Sequence, residues 1–140
     1  MPSRFFVDVV TNNIPETITN IEGTVANIVQ AVIREGEFYM KTGMRDTPKT
    51  GNVYVKGGVV HISSSPGNFP AIDTSALINS VNAKQVSNLV WELRWGTEYA
   101  ALLEFGSPGG KLMPRPSGLL TTNHLLTEAQ RIANKYIGLA

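Results

Sequence analysis

The 140-residue sequence has no cysteine, which excludes a disulfide framework, a thiolate metal site and a thiol nucleophile together. Histidine is nearly as scarce. His61 and His124 lie far apart with no His or Cys at ligand spacing, and a metal centre needs three or four convergent ligands, so no metal site is expected. Charge is also in short supply: 16% of residues are charged and the net charge is +1, which argues against a chain whose affinity comes from wrapping nucleic acid. The polar but uncharged surface this leaves is of a kind that a subunit interface can bury. No apolar run approaches the ~20 residues of a bilayer span. Asp8 and the Asn12-Asn13 pair interrupt the N-terminal sequence before a signal-peptide core can form, so no membrane partner is expected.

Catalytic spacing is missing as well. There is no Gly-x-Ser-x-Gly elbow, and neither Gly57-Gly58 nor Gly109-Gly110 belongs to a phosphate-binding pattern, so both pairs read as flexible turns. Glu98 and Glu104, six positions apart on a short helix, point in different directions, which favours a surface or interface role about tenfold over an acid/base pair. The chain is therefore expected to be no enzyme and to carry no cofactor.

The pattern that is present describes one α+β domain over residues 1–140. A strand or arm over residues 1–14, centred on Phe5 to Val10, leads to Asn13 as a cap and Pro15 in a first helical turn. Ile18, Ile21, Val25, Ile28, Val29, Val32 and Ile33 then recur at spacings of three and four, the signature of a long amphipathic helix. It is expected to end near Lys41, with Gly43 as its stop signal and with Gly23 or Gly36 marking close packing or a bend. Residues 43–62 form a protruding loop or hairpin, in which Asn52 to Val55 can pair with Val59 to Ile62 through the Gly57-Gly58 turn.

Farther on, Asp73 with Thr74 is expected to cap a helix of about two turns. Strands follow at Val81 to Val86 and Leu89 to Trp95. Alternation in the second places Leu89, Trp91, Leu93 and Trp95 on one face, covered by the long helix, and Glu92 and Arg94 on the other. Thr97 is expected to cap a short helix ended by Gly106; residues 107–116 make a Gly/Pro loop, and Ser117 to Ile137 a last helix with Leu119, Leu120, Leu125, Ala129, Ile132 and Tyr136 as its apolar stripe. The architecture is then a long N-terminal helix and a C-terminal helix packed on a small, mainly antiparallel sheet.

Three features invite a functional reading. Between Lys41 and Lys56, four cations (Lys41, Arg45, Lys49 and Lys56) face Asp46 alone, so this segment is locally basic: a solvated loop, a contact for an acidic neighbour, or a contact for DNA in a channel. Trp91 and Trp95 share their face with leucines, which favours core packing over a base-stacking platform. Arg115, held between Pro114 and Pro116, either makes a bidentate bond to a carboxylate, with Glu104 as the candidate, or snorkels at a helix entrance.

The order of segments from Pro70 to Pro116 carries a resemblance. Pro70-Ala-Ile-Asp-Thr-Ser-Ala-Leu77, then Tyr99-Ala-Ala-Leu-Leu-Glu-Phe-Gly106, then Pro114-Arg-Pro116 resembles the neck or tail-completion proteins of long-tailed double-stranded DNA bacteriophages. In that family an Asp-Thr-Gly-x-Leu helix start, a Tyr-Ala-x-x-x-Glu-Phe-Gly segment and a Pro-Arg-Pro entry to the last helix recur in this order. Ser75 stands where the family usually has Gly, and Ser117 where an aromatic often follows. The resemblance covers about half of the chain. It implies a structural virion subunit, made in the host cytoplasm, that forms a ring around the DNA channel between head and tail. It also implies that the ring is a hexamer, with the head connector or stopper on one side and the tail terminator or tail-tube protein on the other. Lys41, Arg45, Lys49, Lys56, Glu104 and Arg115 are the candidate interface or channel residues. The alternative is a nucleic-acid-binding module working through the basic segment at 41–56.

Overall fold

One 33-residue helix, α1 (Ile14–Asp46), organises the molecule. The structure, a computed structural model, describes residues 14–138; of the arm expected at residues 1–14 only Ile14 is described, as the first residue of α1, and the Asn13 cap lies outside the described residues. α1 does not stop at Gly43. A Cβ there would strike the Phe69 ring, so the glycine marks a close approach and the helix runs through it to Asp46, with Pro48 beyond the end. Gly36 has the same role, because its missing side chain would lie 2.9 Å from Leu125 and 3.4 Å from Leu93. Its last turns carry Met40 and Met44, which with Val81 are the most deeply buried apolar side chains among the described residues.

The fold is α+β, and its two antiparallel sheets are the hairpin expected within residues 43–62 and the small sheet expected from the two later strands. β1 (Val53–Lys56) pairs antiparallel with β2 (Val59–Ile62), and β3 (Asn82–Ser87) with β4 (Val90–Arg94). Gly57 and Gly58, both at positive φ, form the two-residue turn of the first. In the second, a register irregularity between Gln85 and Ser87 ends the regular pairing before the turn. α1 packs on the β3–β4 ribbon. Trp91 and Leu93 are half-buried on β4, and Leu93 and Trp95 pack against the core, whereas Leu89 remains exposed. A two-stranded ribbon has no central strand, so its apolar face is covered only where α1 and the last helix reach it.

Two short helices, α2 (Ala76–Ser80) and α3 (Ala100–Phe105), connect these parts to α4 (Ser117–Ile137), which lies along α1. The core joins Met40, Met44, Phe69, Leu77, Val81 and Ala100. Ile132 is the buried member of the expected α4 stripe; Leu119 and Tyr136 are exposed. On the α1 side of α4, Thr121 is buried and His124 stacks on Tyr39, with ring centroids 3.7 Å apart and Nε2 2.8 Å from Glu35 Oε1.

Both expected helix caps differ. Thr97 makes no cap through its hydroxyl, and Tyr99 occupies the N-cap position of α3. Ser75, not Asp73, is the N-cap residue of α2, and it sits in the left-handed region at φ 65° with no side-chain cap bond. That conformation costs an L-residue roughly 1–2 kcal/mol and suits glycine, the residue usual at this position in the family the sequence resembles. The expected stop of α3 at Gly106 does occur, at φ 78°, where a Cβ would lie 2.7 Å from the Leu112 carbonyl.

Candidate functional site

Residues 53–62 form an arm with two chemically different faces. In the β1–β2 register, Tyr54 lies opposite His61 and Lys56 opposite Val59, while Val53 lies opposite Ile62 and Val55 opposite Val60. The first face is held to the body by a clasp: Asp73 receives Lys56 Nζ at 3.0 Å and faces His61 Nδ1 at 2.9 Å. The Lys56 hydrogen bond, with the charges of His61 and Lys49 adding to it, holds the Asp73 carboxyl below its usual range; in return Asp73 raises Lys56. Tyr54 stacks on His61 at 5.3 Å, and burial pushes its phenol up. Beneath this face lies a cavity of about 560 Å³, lined by Tyr54, His61, Asp73, Leu77, Tyr99 and Leu103.

The second face consists of four aliphatic side chains, Val53, Val55, Val60 and Ile62, which are 43–69% exposed. Sequence reasoning found the hairpin but neither the uniformity of this face nor the role of Asp73. The signal was available in the alternation Val53-Tyr-Val-Lys56 against Val59-Val-His-Ile62, because directly opposite residues project to one side.

The four cations between Lys41 and Lys56 do not form a basic loop. Lys41 is on α1 and pairs with Glu37 at 2.7 Å; Glu37 also accepts from Arg34 and from the Ala83 amide. These donors, Lys41 first, lower the Glu37 carboxyl. Arg45, on the last turn of α1, pairs with its neighbour Asp46 at 3.0 Å, and Lys56 is committed to the clasp. Of the four, only Lys49 lacks an ion pair among the described residues.

Glu104 and Arg115 do not meet. Arg115 is 5% exposed, and its guanidinium donates Nε–H and Nη2–H to the Ser64 carbonyl at 3.1 and 2.7 Å, Nη2–H to Ser63 Oγ at 3.3 Å and Nη1–H to the Met113 carbonyl at 2.9 Å. It is a rivet between the 63–65 turn and the entry to α4, satisfied by backbone carbonyls in place of a carboxylate. Its own amide donates to the Leu103 carbonyl, and Pro114 accepts from Gly67, so the stiff segment is stitched on both sides. Glu104 instead accepts the Gly118 and Leu119 amides at 3.0 and 3.2 Å, capping α4 from another helix, where the positive end of the dipole favours a carboxylate. The Trp95 ring lies against Gly118, and a Cβ there would come within 2.7 Å of it. Trp91 is covered by the Arg34 guanidinium, 5.3 Å from the ring centroid. Both tryptophans are thus packed against other parts of the domain. No family model matches the chain, and neither a curated protein nor a solved structure matches it.

Proposed function

We propose that the chain is a structural subunit that assembles with copies of itself into a ring, in the role of a virion neck or tail-completion protein between the head connector and the tail. The observation that carries this reading is the distribution of apolar side chains. The hydrophobic core cluster joins six buried residues, while the aliphatic face of the arm and Ile18, Ile21 and Val25 at the far end of α1 stand in water, as does Phe105. Contiguous apolar patches of this kind mark protein interfaces. The ion pairs of Lys41, Arg45 and Lys56 favour the assembly reading over a nucleic-acid module, since cations already paired gain less from phosphate. The hexamer and its head and tail partners rest on the resemblance.

The test is oligomeric state. Light scattering and negative-stain images of the purified chain, alone and at high concentration, should show closed rings, and a null allele should give particles that lack complete heads joined to tails. A strict monomer in solution and in the particle overturns the reading.

A further inference from the structure

The cavity beneath the arm is walled by charge that the molecule as a whole does not have. Lys49, Lys56, Lys111 and Arg115 line it, with Asp73 as the one carboxylate among the described residues, in a chain of net charge +1. Lys56 is answered by Asp73, while Lys49 and Lys111 make no ion pair among the described residues. Arg115 is the deepest of the four. It is buried, and its bonds go to carbonyls and a hydroxyl, which accept hydrogens without cancelling the charge. Glu104, the carboxylate that the sequence offered it, is engaged at the start of α4.

Two donors at this end of the cavity are left over. A guanidinium has five N–H groups; those bonded to Ser64, Ser63 and Met113 leave one Nη1–H without an acceptor among the described residues. Ser64 also lines the cavity, and its own Oγ is buried with no hydrogen-bond partner, in a residue only 1% exposed. Such a hydroxyl is ordinarily bonded. Because Arg115 Nη2 grips the Ser64 carbonyl at 2.7 Å, the two leftover donors belong to residues in direct contact. Other parts of the wall are apolar: Met44, Ile72, Leu77, Ile78, Leu103 and Leu112. At about 560 Å³ the space falls in the range of small-molecule sites, roughly 300–1,000 Å³.

We propose that this cavity binds a small amphipathic monocarboxylate, with one oxygen of the carboxylate at Arg115 Nη1–H, the other at Ser64 Oγ–H, and the apolar body along Leu77, Ile78 and Leu103. Two donors match the two oxygens of a carboxylate and bring the buried guanidinium its counterion. A phosphate monoester would add a third oxygen and further negative charge in a wall that already holds Asp73. Lys49 and Lys111, both exposed, draw the anion toward the cavity without gripping it. The site does not depend on the assembly reading, and its test does not involve oligomeric state.

Decanoate, kept below its micellar concentration, is titrated into the purified full chain by calorimetry. Decanol supplies the chain without the charge, acetate the charge without the chain, and amide NMR spectra locate the site. The expected result is saturable binding of decanoate, at least about tenfold tighter than either control, with amide shifts concentrated at residues 63–65, 77–78, 103 and 112–115. Ser64→Ala removes a hydroxyl that bonds nothing among the described residues, so its thermal midpoint should not fall, while its affinity for decanoate drops about tenfold, the worth of one charge-assisted hydrogen bond. Lys49→Gln combined with Lys111→Gln should weaken binding by roughly two- to threefold and flatten its dependence on salt. No saturable binding, decanol bound as tightly as decanoate, amide shifts confined to residues outside the cavity wall, or a folded Ser64→Ala protein that binds decanoate like wild type would each overturn the proposal. Should Ser64→Ala fail to fold, the wild-type shift map and the decanol comparison decide it.

Discussion

The junction around Arg115 and the arm around Lys56 begin from similar raw material: a cation, nearby glycines and a short extended segment. They end as opposites. At the junction the cation finds several oxygens on two segments, and its charge is buried without a counterion among the described residues. On the arm the cation finds one carboxylate at the surface, and the rest of the element touches little. What separates them is acceptor density. A planar guanidinium can use carbonyls that converge from different segments, while an ammonium on a hairpin is limited to what lies across a gap. Tight satisfaction makes the junction part of the fold, and sparse satisfaction leaves the arm free to find partners.

The sharpest way to break that contrast is at Arg115. Arg115→Ala should leave the buried Ser64 carbonyl without its two donors and cost about 3 kcal/mol, read as a lower urea midpoint. Arg115→Lys should recover only a small part, because an ammonium cannot serve carbonyls on both sides. A variant within 1 kcal/mol of wild type would show that the rivet is incidental. Next in size is Glu104→Ala, which uncaps α4 and should cost ~1–2 kcal/mol by the same measurement. Ser75→Gly acts in the other direction: removing the Cβ from a left-handed residue should raise stability by about 0.5–1 kcal/mol, and a lower thermal midpoint would sink the strain argument.

The arm should respond locally. Asp73→Asn should speed amide exchange across residues 53–62 several-fold and leave exchange in α1 and α4 unchanged. The pH dependence has two limits. Asp73 is depressed, so its contribution is present above its unfolded pKa and lost as pH falls through the lower folded value; Lys56 is raised, so its share is complete below its unfolded pKa and lost as pH rises through the higher folded value. Cross-strand NMR contacts of the arm to the body should therefore persist at neutral pH and vanish in acid below the ordinary carboxylate range. The smallest effect on stability is expected for Val55→Thr and Val60→Thr, within about 0.5 kcal/mol each, since both side chains are already in water. A large loss from either would mean that the aliphatic face belongs to the folded monomer.

Much of the layout was readable because it obeys short-range rules. The α4 limits, the Gly57-Gly58 turn, the Gly106 stop and the alternation of Trp91, Leu93 and Trp95 follow from periodicity and from backbone freedom that each segment carries by itself. The misreadings have one cause, which is that a distant partner decided the outcome. Gly43 looks like a terminator until Phe69 is placed beside it. Asp73 looks like a cap until Lys56 and His61 arrive from 17 and 12 positions away. Glu104 and Arg115 stand out in the sequence, but their partners are mostly backbone groups, which no side-chain pattern announces. The six candidate residues accordingly divide: Glu104 and Arg115 hold the domain together, Lys41 and Arg45 belong to α1, Lys56 holds the arm, and Lys49 remains exposed.

The uninterrupted course of α1 through Gly36 and Gly43 makes the helix a phase-keeping shaft. One residue inserted between Val25 and Val32 would turn its first half by about 100° relative to everything packed on its second half, while lengthening it by only ~1.5 Å. Seven inserted residues would restore the bearing to within about 20° and extend the shaft by roughly two turns. Angle and length can therefore be varied almost independently in this one element, and tolerance to the seven-residue insertion but not to the single one would show that what the far end of α1 meets is oriented.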